Sequence, residues 1–214
     1  MDTDNPCGQA QNSKNRWGGG SIFGCYPQVW IVFGCVALNV ILSEFRFYFM
    51  GGMIPLFLDM VATALAAFLL GPWYAVVVGV LSFTTASALH NELFEPRFAF
   101  ILVQIVGALI WGYGYQWVRQ SKLHKGARFC YLTILVGVVC SLVAFTIIEI
   151  ALEGYLATSS GMLFARFLES SGDRNLAIRF QVNLMMSLID KTIASAAALF
   201  IALEIGRRYT LTRK

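Results

Sequence analysis

Asn183–Ile205 reads NLMMSLIDKTIASAAALFIALEI, an apolar stretch of membrane-spanning length with two ionisable residues, Asp190 and Lys191, side by side near its middle. A helix needs roughly 20 predominantly apolar residues to cross about 30 Å of hydrocarbon. A charge near the bilayer centre costs about 2.5–3.5 kcal/mol on insertion scales, so it normally faces a protein interior, a cavity or a partner charge. The stretch predicts a transmembrane helix with a polar task inside the membrane.

The rest of the chain agrees. Hydrophobic residues make up 57% and charged residues 13% of 214, with a mean hydropathy of +0.66, whereas soluble domains carry about 25% charged residues. The predicted fold is an all-α membrane protein, a bundle of six transmembrane helices at 28–45, 54–70, 72–89, 97–118, 129–152 and 182–204. Gly71-Pro72 divides the apolar run from Ile54 to Leu89, because proline starts a helix well and disrupts one from within; helices 2 and 3 should form a hairpin. Residues 1–27 read as a flexible polar tail, 28–205 as one transmembrane domain and 206–214 as a basic tail.

Six spans place both termini on one side, and cytoplasmic flanks retain Lys and Arg. With the N-terminus inside, the inner segments hold Lys14, Arg16, Arg119, Lys122, Lys125, Arg128, Arg207, Arg208, Arg213 and Lys214. The outer segments hold Arg46, Arg97, Arg166, Arg174 and Arg179, and collect Glu44, Glu92, Glu95, Glu153, Glu169 and Asp173. Both termini are therefore expected in the cytoplasm. The net charge of +4 reflects this topology and not nucleic-acid binding, which would cluster the basic residues. The cysteines at 7, 25, 35, 130 and 140 have no metal-ligand spacing and read as free. His90 and His124 fall on opposite sides, so no metal site is expected.

The polar residues inside the spans share one depth range. At 1.5 Å per residue, Asp190 lies about 12 Å below the outer start of helix 6, Asp59 about 6–8 Å below that of helix 2, and Gln104 about 10 Å below that of helix 4. Helical spacing places Asn183, Ser187 and Asp190 on one face of helix 6, Asp59 and Thr63 on one face of helix 2, and Glu149 near the outer end of helix 5. Thr84, Ser87 and Asn91 mark the outer end of helix 3. These residues predict an outward-facing polar pocket among helices 2 to 6, with Asp59, Thr63, Asn91, Gln104, Glu149, Asn183, Ser187, Asp190 and Lys191 as its substrate-binding candidates. Structural roles stand beside that one: Asp59 as an interfacial carboxylate favoured by the helix dipole, Lys191 as a tether to Asp59 or Glu149, Glu149 as a solvated end residue. Trp30, Trp73, Trp111 and Trp117 read as an aromatic belt.

Ile54–Trp73, IPLFLDMVATALAAFLLGPW, contains Asp-x3-Thr-x7-Gly-Pro at 59–72. With the Gly79-containing third helix, the Phe98-Ala99 to Gly107 stretch and Asp190-Lys191-Thr192-Ile193, it resembles the substrate-specific S components of energy-coupling factor (ECF) transporters over about 28–205. That resemblance implies a non-enzymatic, multi-pass subunit of a bacterial or archaeal cell membrane that captures a vitamin or similar small micronutrient from outside. It also implies a transmembrane coupling protein and two cytoplasmic ATPases as partners, besides membrane lipid. This chain has no G-x4-G-K-[ST] phosphate loop, so no cofactor is expected on it and ATP would be hydrolysed by the partners. Helix 1 reads Gly34-Cys35-Val36-Ala37-Leu38-Asn39 where S components that share a coupling module often carry Ala-x3-Ala, so a shared and a solitary module both stay open. A membrane-embedded ligand sensor and an ion-coupled secondary carrier would use the same polar residues.

Overall fold

A computed structural model describes residues 27–49, 58–90, 96–120, 125–151 and 176–211. It is all-helical over them, with α1 Pro27–Phe49, a 3-10 turn Leu58–Met60 running into α2 Val61–Leu69, α3 Pro72–Leu89, a 3-10 turn Pro96–Phe100 running into α4 Ile101–Gln120, α5 Lys125–Ala151 and α6 Leu176–Leu211. Five helices, α1, α3, α4, α5 and α6, are long and apolar enough to cross a membrane.

The second helix differs from its sequence-based expectation. Its described part, Leu58–Leu69, is too short to count among the spans, and residues 54–57 lie outside the described residues. It occupies the core: α2 packs against α1, α3, α4 and α6, while the long helices follow one another in the packing order α1, α3, α4, α5, α6. Every residue from Val61 to Phe68 is buried. The sequence VATALAAF explains why this is possible. Ala62, Ala64 and Ala66 are fully enclosed, and alanine lets neighbouring backbones approach closely where no water drives apolar groups together.

The boundary between α2 and α3 falls where glycine and proline put it. Gly71 has φ +106°, a conformation that penalises any side chain, and Pro72 opens α3 as its first residue. Gly112 of α4 sits against this corner, since a methyl group there would lie 2.4 Å from the Pro72 Cα. Phe68 then stacks against Tyr115 at 4.4 Å between ring centroids. The remaining spans keep their expected places, though α6 extends beyond 182–204 at both ends.

The bundle is apolar outside. Trp30, Phe33, Trp73, Ile150, Phe200 and Leu203 are all well exposed, a surface suited to lipid and costly in water. Trp30, Trp73 and Trp117 are exposed as a belt requires, but Trp111 is not part of it. Its side chain is fully buried and the indole Nε1–H donates to Ser195 Oγ at 2.9 Å, tying α4 to α6. The α4 face made by Gln104, Gly107, Ala108 and Trp111 is the buried one, so the indole points inward and needs that hydroxyl. Cys35, Cys130 and Cys140 are free; Cys7 and Cys25 lie outside the described residues.

Candidate functional site

The polar residues of the interior form two groups that meet beside Gly79. The first is built on Asn39 of α1, almost fully buried. Its Oδ1 accepts the Ala62 backbone N–H at 2.9 Å, and its Nδ2 donates to Thr63 Oγ1 at 2.9 Å and Ser82 Oγ at 3.3 Å. The first N–H groups of a helix have no partner within the helix. Met60, the N-cap residue, makes no side-chain cap bond; Asn39 supplies one from another helix. Thr63 is therefore held by this structural network and turned toward α1 and α3.

The second group gathers Asp59, Gln104, Asp190 and Lys191. Asp59 stands on the 3-10 turn that leads into α2. Gln104 Nε2 donates to its Oδ2 at 2.9 Å, joining the α2 entrance to α4. Asp59 Oδ1 and Gln104 Oε1 are both buried and lack a hydrogen-bond partner. Lys191 Nζ donates to Asp190 Oδ2 in a short, buried ion pair, and Lys191 is near enough to interact electrostatically with Cys140 and Asp59. Small residues make room for this cluster: Gly107 brings α4 against Met60 and Cys140, so that a Cβ there would come within 2.7 Å of Met60 Cε. Gly79 keeps α3 close to both groups, its missing methyl lying 3.4 Å from Thr63 Cγ2 and 3.5 Å from Gln104 Oε1.

Other expected pocket residues lie elsewhere. Asn183 Nδ2 donates to Ser141 O and Oγ at 3.0 and 2.9 Å; it clamps α6 to α5 and stands eight residues, about 12 Å, along α6 from Lys191. Ser187 is half-buried between them. Glu149 lies 3.0 Å from Arg179 Nη2, an ion pair in which Glu149 Oε1 nevertheless takes no hydrogen bond. Lys191 is thus paired with its chain neighbour Asp190 and not with Glu149 across the bundle. The tether across α5 and α6 belongs to Arg179, which one turn of α6 brings opposite the end of α5. Asn91 lies outside the described residues.

The sequence pattern assigned no polar role to Asn39, Ser82 or Ser141. Asn39 carried the needed signal, a lone amide in an apolar span, but a single amide does not reveal which helix end it caps. Electrostatically, the Asp59 group holds two carboxylates against one ammonium, with acceptors to spare. No family model, curated protein or solved structure matches the chain.

Proposed function

We propose that this chain is the substrate-binding membrane subunit of an ECF-type importer, a six-span S component with both termini cytoplasmic that captures a small polar micronutrient from outside. The observation that carries this reading is the pair of buried, unpartnered acceptors Asp59 Oδ1 and Gln104 Oε1 beside the Asp190–Lys191 pair. A native interior leaves few polar atoms unsatisfied, and each costs about 1–3 kcal/mol. Such a cost is offset when a ligand supplies the missing donors. The charge distribution supports the orientation: Arg119, Lys125 and Arg207 lie at one end of the bundle, while Glu44 and His90 meet at the other, 3.0 Å apart.

Capture by this subunit and ATP hydrolysis by others make a divided mechanism. The cluster binds the solute, and a coupling protein with two ATPases drives its release inward. Uptake in cells expressing the chain should stop when the partner ATPases are deleted, and the purified chain should hydrolyse no ATP. An ion-coupled carrier is the second reading, in which the interior ionisable groups Asp59, Asp190 and Lys191, which interact electrostatically, form a relay. Uptake that survives loss of every coupling ATPase and collapses with the proton gradient would replace the first reading with the second.

A further inference from the structure

The unpartnered atoms also restrict what can bind. Asp59 Oδ1 and Gln104 Oε1 are both acceptors, and they belong to side chains already fixed to each other through Gln104 Nε2 and Asp59 Oδ2. Gln104 is 4% exposed, so water at its surface cannot satisfy the carbonyl. The amide orientation is set by the same bond: turning it to present Nε2 would bring Oε1 against the Asp59 carboxylate and lose the one donor that the carboxylate has. A ligand group that is itself an acceptor, such as a carboxylate, a phosphate or a ketone, leaves these two atoms unsatisfied. A group with two N–H donors satisfies both.

Charge points the same way. Lys191 interacts electrostatically with Asp190, Asp59 and the Cys140 thiol, so within this group two carboxylates face one ammonium. The ammonium of the group, Lys191 Nζ, is ion-paired with Asp190 Oδ2. A monocation removes the imbalance in a low-dielectric interior, where charge pairing is strong and an unpaired charge is costly.

We propose that the Asp59–Gln104 pair is a cation subsite that takes the N–H edge of an amidinium, aminoheteroaromatic cation or primary ammonium carried by the transported solute. Asp59 Oδ1 contributes charge and one acceptor, and Gln104 Oε1 contributes the second acceptor. This inference rests on the reading of the cluster as a capture site, but it does not require ATP-driven transport, so its test uses the isolated chain.

The test is the melting temperature of the purified full chain in detergent or nanodiscs, titrated with acetamidinium, methylammonium, acetamide and acetate. These probes are small enough to reach any site large enough for a solute, and a ligand that binds only the folded state raises stability as RT ln(1 + [L]/Kd). Acetamidinium should stabilise the protein with an apparent Kd at least tenfold below that of acetamide, and acetate should have no effect. Asp59→Asn should abolish the preference of acetamidinium over acetamide, while Gln104→Leu should weaken both. Equal shifts with acetamidinium and acetamide, no shift with either cation, or an unaltered preference in folded Asp59→Asn would overturn the cation subsite. None of these results bears on whether uptake needs the partner ATPases, so the two proposals fail separately.

Discussion

Replacing Asn39 by alanine should destabilise the fold more than any other exchange of a single polar side chain in α1. Three hydrogen bonds disappear, to the Ala62 N–H, Thr63 Oγ1 and Ser82 Oγ. Interhelical hydrogen bonds in membranes average about 0.6 kcal/mol each in double-mutant cycles, which gives about 2 kcal/mol for the three. The Ala62 amide then becomes an orphan at the start of a fully enclosed helix, and a buried orphan costs about 1–3 kcal/mol. Thr63 and Ser82 lose less: each has a hydroxyl that can turn, and Ser82 Oγ already donates to Val78 O at 2.7 Å. The sum is about 3–5 kcal/mol for Asn39→Ala, against about 0.5 kcal/mol for Ser82→Ala, whose bond to Asn39 is the longest of the three. Reversible unfolding in mixed micelles, followed by circular dichroism, measures both. Hydrogen exchange at the Ala62 amide should rise in the first variant and stay unchanged in the second. A loss below about 1 kcal/mol for Asn39→Ala, the usual effect of one weak bond, would refute the idea that a residue of α1 caps the core helix.

Three further outcomes follow from the geometry. Gly112→Ala should cost about 1–3 kcal/mol, the usual penalty for overpacking, because its methyl would lie 2.4 Å from the Pro72 Cα. Gly107→Ala should cost less, since the nearest atom is the flexible end of Met60; thermal melting of both variants gives the order. Lys191→Met should lower the melting temperature by stranding the buried Asp190 carboxylate, and Asp190→Asn in the same chain should restore much of the loss, whereas Glu149→Gln should restore none. Cysteines introduced one at a time on a cysteine-free background at 121–124 should need membrane permeabilisation for labelling, while those at 91–95 should label in intact cells.

The long helices were legible because hydropathy reports length directly: Gln28–Phe45, Pro72–Leu89 and Lys125–Ile150 are apolar runs long enough to cross a membrane. The Gly71-Pro72 corner was equally plain, since positive φ and a missing N–H are properties of those two residues alone. The core position of α2 was not. An Ala-rich apolar run suits lipid and a packed interior equally well, and only the surrounding helices decide between them. Depth along a helix placed Asp59, Gln104, Asp190 and Lys191 in one layer, and the fold brings these four together. Helical face brought in Asn183 and position near a helix end brought in Glu149, but Asn183 stands about 12 Å along α6 from Lys191 and Glu149 pairs with Arg179. Ser141 and Arg179, their actual partners, come from helices whose mutual rotation the sequence does not encode in any local pattern. Trp111 was misplaced for a related reason: tryptophan near a span's end usually marks the interface, but its position on the face of Gln104, Gly107 and Ala108 turned it inward.

The central claim is that Asp59 and Gln104 hold a solute, and the most direct measurement is the small molecule that accompanies the protein out of the membrane. Full-length chain extracted gently from its native membrane and washed in detergent can be analysed by native mass spectrometry beside Asp59→Asn and Gln104→Leu, each first shown to melt cooperatively. One adduct of defined mass is expected on the wild-type chain, with occupancy reduced at least about tenfold in each variant, the roughly 1.4 kcal/mol that losing one good polar contact entails. The same adduct at the same occupancy on both folded variants would contradict that claim.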